Sequence, residues 1–508
     1  MKTVDKPTLA ILLIGTLTCL LLAGKGSIAQ VKTRKSGQSS SMKTASRRDE
    51  LTARLEKSIP QLMSDGDVPG LSIALIRNSK VVWHRGFGVK NAATKEPVDD
   101  GTVFEAASLS KPVFAYAVLK LVDRGVLDLD TPLVKYLPGA YVEGDERLKL
   151  ITARMVLTHT TGFPNWRPRG EPLKIHFTPG EKFSYSGEGF VYLQRVVEHL
   201  SGQRLEQLMR REVFGPLGMT SSSYLWLDSY DKLKATGHNS SGLPTARRQP
   251  TEENAAASLQ TTALDYSRFV IAILEGKGIK REMLRRMLTT QVRVDEACSD
   301  CIGRKLERLS KSVSWGLGWG LQQTEDGTAF WHWGSNNGDV QCYTEASERQ
   351  KTGIVIFTNS GNGLSIIPEI VQQAMGGHHP AFSWIGSEPY NSPARKLLRD
   401  IIARGVEVAL RDYRERRKNA AGGERLNEGQ INQIGYQLLA TKRVKEAIEV
   451  FKLNVEDYPA SFNVYDSLGE AYMANGDKEL AIKNYRKSVE LNPDNRNGVE
   501  MLKKLEQK

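Results

Sequence analysis

The stretch "FWHWGSNNGDVQCYTEASERQKTGIVIFTNSG", residues 330–361, decides how the chain is read. Three apolar runs follow one another. "TAFWHWGSN", "GDVQCYTEA" and "GIVIFTN" each have the length and the β-branched or aromatic content of a strand. Between the second and third lies "SERQK", a charged hairpin turn. The segment therefore predicts three successive strands of an antiparallel sheet, with a helix after the last. Lys351 falls on the turn, so the short sequence Lys351-Thr352-Gly353 opens the third strand.

Working outward, "GLSIALIRNSKVVWHRGFG" (residues 70–88) predicts two more strands joined at Asn78-Ser79. "SKPVFAYAVLKLVDRG" reads as a helix with apolar positions at 113, 114, 117, 118 and 121, ended by Gly125. Ser108 and Lys111 sit at its start, in "FEAASLSKPV". Residues three apart share a helix face, so the amine of Lys111 can reach the hydroxyl of Ser108. The helix N-terminus adds positive potential there. A free serine hydroxyl is a weak nucleophile and needs such help. S-x-x-K alone says little, since Ser40 with Lys43 and Ser229 with Lys232 repeat it in a spacer and a loop.

Context raises Ser108. In "FTPGEKFSYSGEGFVYLQRVVEHL" a Pro-Gly turn leads to Tyr185, and a helix begins near Gly189. The order S-x-x-K, Y-S-x and then a Gly-bearing strand resembles the serine β-lactamase and penicillin-binding-protein superfamily, on the class C and D-Ala-D-Ala carboxypeptidase side. The resemblance covers about residues 51–365. It includes "VLTHTTGFPNW", "FGPLGMTSSSY", "AAASLQTTALDYSRF" and "WGLGWGL". It implies an α/β (α+β) catalytic domain, an antiparallel sheet flanked by helices with a helical subdomain.

Carried over residue by residue, the resemblance makes Ser108 the acylated nucleophile and Lys111 its activating partner. Tyr185 shares the general-base role and later protonates the leaving group. The third motif of the family is a Lys-Thr-Gly on an edge strand. Here strand order points away from the literal Lys351-Thr352-Gly353 and toward His332-Trp333-Gly334, an H-x-G variant; Lys351 reaching the site from its turn is the alternative. The implied oxyanion hole is the backbone N–H of Ser108 and of Ser335, and Trp333, Gly334 and Gly187 line the substrate. Gly334 is expected to let substrate approach the strand closely.

Two departures bear on substrate. The family's third-motif lysine is a permanent cation, whereas His332 is charged only if a neighbour raises its pKa. An unperturbed tyrosine, pKa about 10, needs about 4 kcal/mol from nearby cations to be mostly phenolate at pH 7. Lys111, Tyr185 and His332 are therefore expected to titrate as a coupled set, unless His332 only caps a strand edge. Gly187 stands where class C enzymes place the Asn of Y-x-N. Both changes weaken recognition of a penicillin carboxylate. His159 in "LTHTTG" reads as a structural residue bonded to a loop.

The remainder sets the organisation. Of 508 residues, 40% are hydrophobic and 25% charged, a globular composition with room for two or three domains. Lys2 and Lys6 precede the apolar run Leu9–Ala23, and Ser27-Ile28-Ala29 suits a signal peptidase. Residues 1–29 thus read as a cleaved signal peptide, with an uncleaved anchor as alternative. Their removal takes Lys2, Lys6, Lys25 and Asp5 and lowers the formal charge from +12 to +10. Residues 30–50 form a basic polar spacer whose cations at 32, 34, 35, 43, 47 and 48 suit solvent or an anionic envelope surface. Nucleic acid is not an expected partner.

Cys298 and Cys301 read as a local disulfide in an exposed loop, given an oxidising compartment and no second pair for zinc. The eight histidines show no H-x-H or H-E-x-x-H spacing, so neither metal nor cofactor is expected.

After a hydrolase domain at 51–378 and a helical linker at 379–424, residues 425–508 repeat. Ile431, Ile434, Gly435, Leu438, Ala447, Phe451 and Pro459 recur 34 positions on as Tyr465, Leu468, Gly469, Tyr472, Ala481, Tyr485 and Pro493. This resembles the tetratricopeptide repeat, a helix–turn–helix unit. Gly435 and Gly469 are expected to pair with Ala447 and Ala481, and a capping helix to follow at 494–507. The repeats offer either a groove for a protein or peptide partner or a rigid appendage.

The reading is an exported serine hydrolase acting through a Ser108 acyl-enzyme on an ester, amide or β-lactam, an esterase or D-amino-acid-type peptidase in preference to a β-lactamase. A true class C-like β-lactamase and a catalytically idle fold serving as a scaffold are the alternatives.

Overall fold

The computed structural model describes residues 36–139, 141–419 and 425–506. The expected signal peptide, residues 1–29, lies outside the described residues, as do the side chains of nearly all the basic stretch after it. Met1–Glu50 and Leu51–Lys508 are separate compact units. The described part of the first is helical from Ser36, within the stretch read as a spacer. No helix of the described residues is long and apolar enough to cross a membrane.

In the second unit one sheet holds eight strands: β1 (Gly70–Arg77), β2 (Lys80–Gly88), β3 (Val292–Asp295), β4 (Leu309–Trp315), β5 (Gly320–Thr324), β6 (Gly327–Asn336), β7 (Val340–Ser347) and β8 (Thr352–Thr358). Their order is β2-β1-β8-β7-β6-β5-β4-β3, and every neighbouring pair is antiparallel. The three strands expected in residues 328–358 are β6, β7 and β8, with the charged turn between β7 and β8. Asn78 and Ser79 both have positive φ in the β1–β2 turn, the conformation of a tight two-residue hairpin.

The sheet is covered on both sides. Alternate residues of β1 and β8 enter different cores. Ala74, Ile76, Val355 and Phe357 join the helical subdomain. Leu71, Ile73, Leu75, Ile354 and Ile356 face the opposite layer. That layer comprises the part of α1 (Ser36–Asp65) from Leu51 onward, through Leu55, Ile59 and Leu62, and helices near the end of the domain. The subdomain side holds α2 (Ser110–Asp123), α3 (Gly187–Ser201) and α4 (Ala263–Glu275). The opposite layer is completed by α5 (Gly363–Met375) and α6 (Pro380–Ile385). Ala381 N donates to Gln322 Oε1 (2.8 Å), so part of the stretch read as linker belongs to the sheet's own core.

The C-terminal helices are α7 (Pro393–Arg404), α8 (Val406–Asn419), α9 (Glu428–Ala440), α10 (Val444–Asp457), α11 (Phe462–Asn475), α12 (Lys478–Leu491) and α13 (Arg496–Glu506). Leu397, Ile401, Leu410 and Tyr413 share one core with Ile434, Phe451 and Tyr485, so α7 and α8 extend the repeat array. The array is fastened to the rest of the unit: Arg395 donates to Asn362 Oδ1 (3.0 Å) and Arg399 to Asp65 O (2.5 Å). The repeat glycines serve a different contact from the one expected. A Cβ on Gly435 would stand 2.5 Å from the Phe451 ring, and one on Gly469 3.2 Å from the Tyr485 ring. It is the aromatic ring four residues beyond each alanine that needs the space.

Gly435→Val is therefore expected to destabilise the array by about 1–3 kcal/mol through overpacking. Gly469→Ala should cost less, a ranking that thermal unfolding of the two variants checks.

Candidate active site

Ser108 lies on the single 3-10 turn Ala107–Leu109 that leads into α2. Ala107 carries φ +46°, a costly conformation for a residue with a Cβ, directly before the serine. The turn is tied down by Ser110 Oγ, which donates to Ala107 O (2.5 Å) and accepts from Leu259 N (3.1 Å).

Lys111 is fully buried. Its Nζ is 3.0 Å from Ser108 Oγ and donates to Ala256 O (2.9 Å). Burial lowers its pKa from 10.5 to about 7, because the ammonium has exchanged water for an apolar surround. Near neutral pH a large fraction of this amine is therefore a free base beside a serine hydroxyl.

Tyr185 precedes α3, whose N-terminus is capped by Ser186 Oγ accepting from Gly189 N (3.0 Å). Lys111 Nζ lies 4.7 Å from the Tyr185 ring centroid. The buried Tyr185 hydroxyl faces Ser108 without closing a well-formed hydrogen bond. Burial drives its pKa well above the usual value, so the phenol keeps its proton. Desolvation outweighs the interaction with Ser108.

His332 sits on β6, fully buried, with Nδ1 2.7 Å from Trp333 O and Nε2 unpartnered among the described residues. Burial, with the Lys111 charge nearby, pushes its pKa down to about 3. It is a neutral imidazole throughout the physiological range, not a substitute cation. The expected coupled titration reduces to one group, Lys111, that changes charge near pH 7.

The strand position also differs from expectation. β6 is interior to the sheet, but β5 pairs only with Gly327–Trp331. From His332 to Asn336 the strand pairs on one side only, with β7. This half-open segment borders the turn that carries Ser108: a Cβ on Gly334 would meet Ala106 O at 2.7 Å and Ala107 Cβ at 3.1 Å. Gly334 thus admits the backbone that carries Ser108, where approach of substrate was the expected reason. Ser335 follows on the exposed side of the strand. Lys351, at φ +54° on the β7–β8 turn, donates to Leu274 O and is not part of this grouping.

Gly187 also has a local cause. A Cβ there would stand 2.7 Å from the Trp166 ring and 2.9 Å from Asn165 O. Asn165 O accepts from Gly187 N (3.0 Å) and Glu188 N (3.1 Å), and Asn165 Oδ1 from Gly187 N (3.1 Å). The loop "FPNW" fills the space an asparagine at 187 would use, and 45%-exposed Trp166 places its ring 6.0 Å from Lys111 Nζ.

Sequence reasoning missed Trp166 and the Ala256 carbonyl, although both lie in stretches marked as family landmarks. His159 has the structural role expected: Nδ1 accepts from Ser186 N (3.0 Å), and its ring stacks on Tyr185 at 4.3 Å. Trp333, half-buried, packs its ring 4.9 Å from that of Tyr185.

A lysine-adjacent serine at the head of a buried helix, a tyrosine over the pair and a half-open strand beside them define a serine β-lactamase-like fold. The sequence profile of the Beta-lactamase family matches residues 55–366, and the chain belongs to that family. A tetratricopeptide-repeat profile matches residues 462–495. Penicillin-binding protein 4 of Amycolatopsis lactamdurans is 26% identical over 352 residues, 64% of this chain and 89% of that protein. Protein flp of Staphylococcus aureus (strain N315) is 25% identical over 206 residues, 37% of this chain, and the match spans 41% of that relative's length. Among solved structures, D-alanine carboxypeptidase AmpC from Burkholderia cenocepacia is similar with a TM-score of 0.54 at 21% identity, over 65% of this chain and 99% of that one, a likeness of fold.

The depressed Lys111 pKa has a consequence for stability. Between about pH 7 and 10.5 the unfolded chain holds a proton on this lysine that the native state has lost, so its contribution to stability rises with pH across that window. Lys111→Met removes this dependence. Its stability relative to wild type should fall by about 2–3 kcal/mol from pH 6 to pH 9, read by denaturant unfolding at both values.

Proposed function

We propose that the protein is an exported serine hydrolase that works through an acyl-enzyme on Ser108, with an ester or a D-amino-acid-type amide as substrate in preference to a β-lactam. The observation that carries this is the 3.0 Å approach of a buried lysine, its pKa near 7, to the Ser108 hydroxyl. Neutral Lys111 takes the serine proton as Oγ attacks the carbonyl. The backbone N–H groups of Ser108 and Ser335 receive the oxyanion, an interaction whose loss costs on the order of 10²–10³ in rate. Tyr185, kept protonated by burial, gives its proton to the leaving group and regains one from Lys111; water then deacylates the serine.

The preference against β-lactams rests on charge. Neutral His332 and the Trp166 ring above Gly187 stand where a carboxylate-reading site would need a cation and an amide. Arg248, a cation near the end of β6, is engaged by Glu105 (3.0 Å) and Asp339 (2.7 Å). Export is inferred from residues 1–29, and the repeats are proposed to hold a protein or peptide partner.

The test is a panel of nitrocefin, short-chain p-nitrophenyl esters and D-Ala peptides. The ester or peptide arm should dominate, and rapid nitrocefin turnover overturns the preference. Ser108→Ala should abolish turnover and fluorophosphonate labelling. Activity should climb as pH rises through about 7, where Lys111 loses its proton, and Lys111→Arg, which cannot lose one, should cost about 10³-fold.

A further inference from the structure

The C-x-x-C pair is not in a free surface loop. The chain between β3 and β4 makes an excursion whose ends are gathered on Asp295: Oδ1 accepts from Ala297 N (2.8 Å), and Oδ2 from Glu307 N (2.7 Å) and Arg308 N (3.0 Å). At its tip Cys298 and Cys301 are joined by a disulfide, and Cys301 is fully buried. The tip presses on the residues that carry Tyr185. Ser299 O accepts from Tyr185 N (2.9 Å). Ser184 Oγ donates to Asp300 Oδ1 (3.1 Å) and accepts from Cys301 N (3.0 Å).

His159 holds the same segment from the other side. Its carbonyl accepts from Ser184 N (2.8 Å), and its ring covers that of Tyr185. At the far end of Tyr185 the hydroxyl has no well-formed hydrogen bond among the described residues. The ring is therefore aimed at Ser108 by its backbone and by the rings around it. Of the backbone supports, the Ser299 carbonyl is the one attached to Tyr185 itself.

We propose that the Cys298–Cys301 loop is the positioning element for Tyr185, and that opening the disulfide detunes the site by releasing the Ser299 carbonyl from the Tyr185 amide. Opening by a dithiol breaks the S–S bond with two electrons and two protons. The dithiol becomes a cyclic disulfide, and Cys298 and Cys301 become thiols. Without the covalent closure, the four-residue tip gains backbone freedom, and its contacts to Ser184 and Tyr185 bear the ordering entropy alone. A displacement of about 1 Å in a catalytic group costs on the order of 10²-fold in rate. The activity readout rests on the Ser108 acyl-enzyme reading; the structural readout does not.

The experiment compares full-length wild type, wild type with dithiothreitol, the Cys298→Ser/Cys301→Ser double variant and Asp300→Ala. Deuterium exchange is followed at the Tyr185 amide, with the Ile356 amide of β8 as reference. The double variant and the dithiothreitol-treated protein should lose at least tenfold protection at Tyr185 with Ile356 unchanged. Their kcat for a p-nitrophenyl ester should fall roughly 10- to 100-fold with KM within about twofold. Dithiothreitol should add nothing to the double variant, and Asp300→Ala should give a smaller loss in the same direction. Unchanged Tyr185 protection after opening, or a loss matched at Ile356, overturns the proposal. If the double variant fails to fold, the dithiothreitol and Asp300→Ala arms decide it. Should wild type not be labelled at Ser108, the hydrolase reading fails while the exchange arm still judges the loop.

Discussion

The buried amine of Lys111 is the constraint around which the candidate site at Ser108 is organised. A lysine without solvent is tolerable only if its donors are met or its proton is shed. Here Ser108 Oγ and Ala256 O lie within 3.0 Å, and the pKa has fallen to about 7. Both responses suit the proposed chemistry. The contact holds the amine on the Ser108 hydroxyl, and the depressed pKa leaves it able to accept a proton. The same charge helps keep His332 and His159 neutral, since each lies close enough for its pKa to be lowered by Lys111. Stability at low pH is lessened by the same burial that lowers the pKa.

Tyr185 and β6 are arranged around this pair with little slack. Gly334 must lack a side chain because the turn bearing Ser108 occupies its Cβ position, and Gly187 because Trp166 does. Two glycines with the same outward appearance in the sequence thus do different work. One lets the sheet reach the turn that carries Ser108, and the other makes way for a tryptophan beside the Lys111 amine. The Cys298–Cys301 tip and His159 grip the Tyr185 segment from opposite sides. The repeat array is continuous in its core with α7 and α8 and fastened through Arg395 and Arg399. The repeats are thus carried by the rest of this unit and not held on a free tether.

Much of this was legible in the sequence wherever the governing physics is local. Period-two alternation and the Asn78-Ser79 turn gave β1 and β2. The i,i+3 spacing placed Lys111 on Ser108, and strand order put His332-Trp333-Gly334, and not the literal triplet at Lys351, beside the Ser108 turn. The 34-residue offset marked the repeats. A charged turn between two strands can be recognised without knowing what else the chain contacts, and the Lys351 amine accordingly donates to Leu274 O, away from Ser108.

What the tertiary structure alone decided were the protonation states and the long-range contacts. Residue type suggested that Lys111, Tyr185 and His332 would titrate as a coupled set. Desolvation, which depends on every neighbour in space, leaves only Lys111 changing charge near pH 7. The use of Gly187 and the repeat glycines depended on which ring came to rest beside each. The C-x-x-C pair, 113 residues from Tyr185 at its nearest, meets that tyrosine's backbone only in the folded chain, through Ser299 O. Sequence determines what can form along the chain, because backbone geometry and periodicity act between near neighbours. Charge state and alignment of the reacting groups were settled by packing, because they depend on water excluded by residues far apart in the chain.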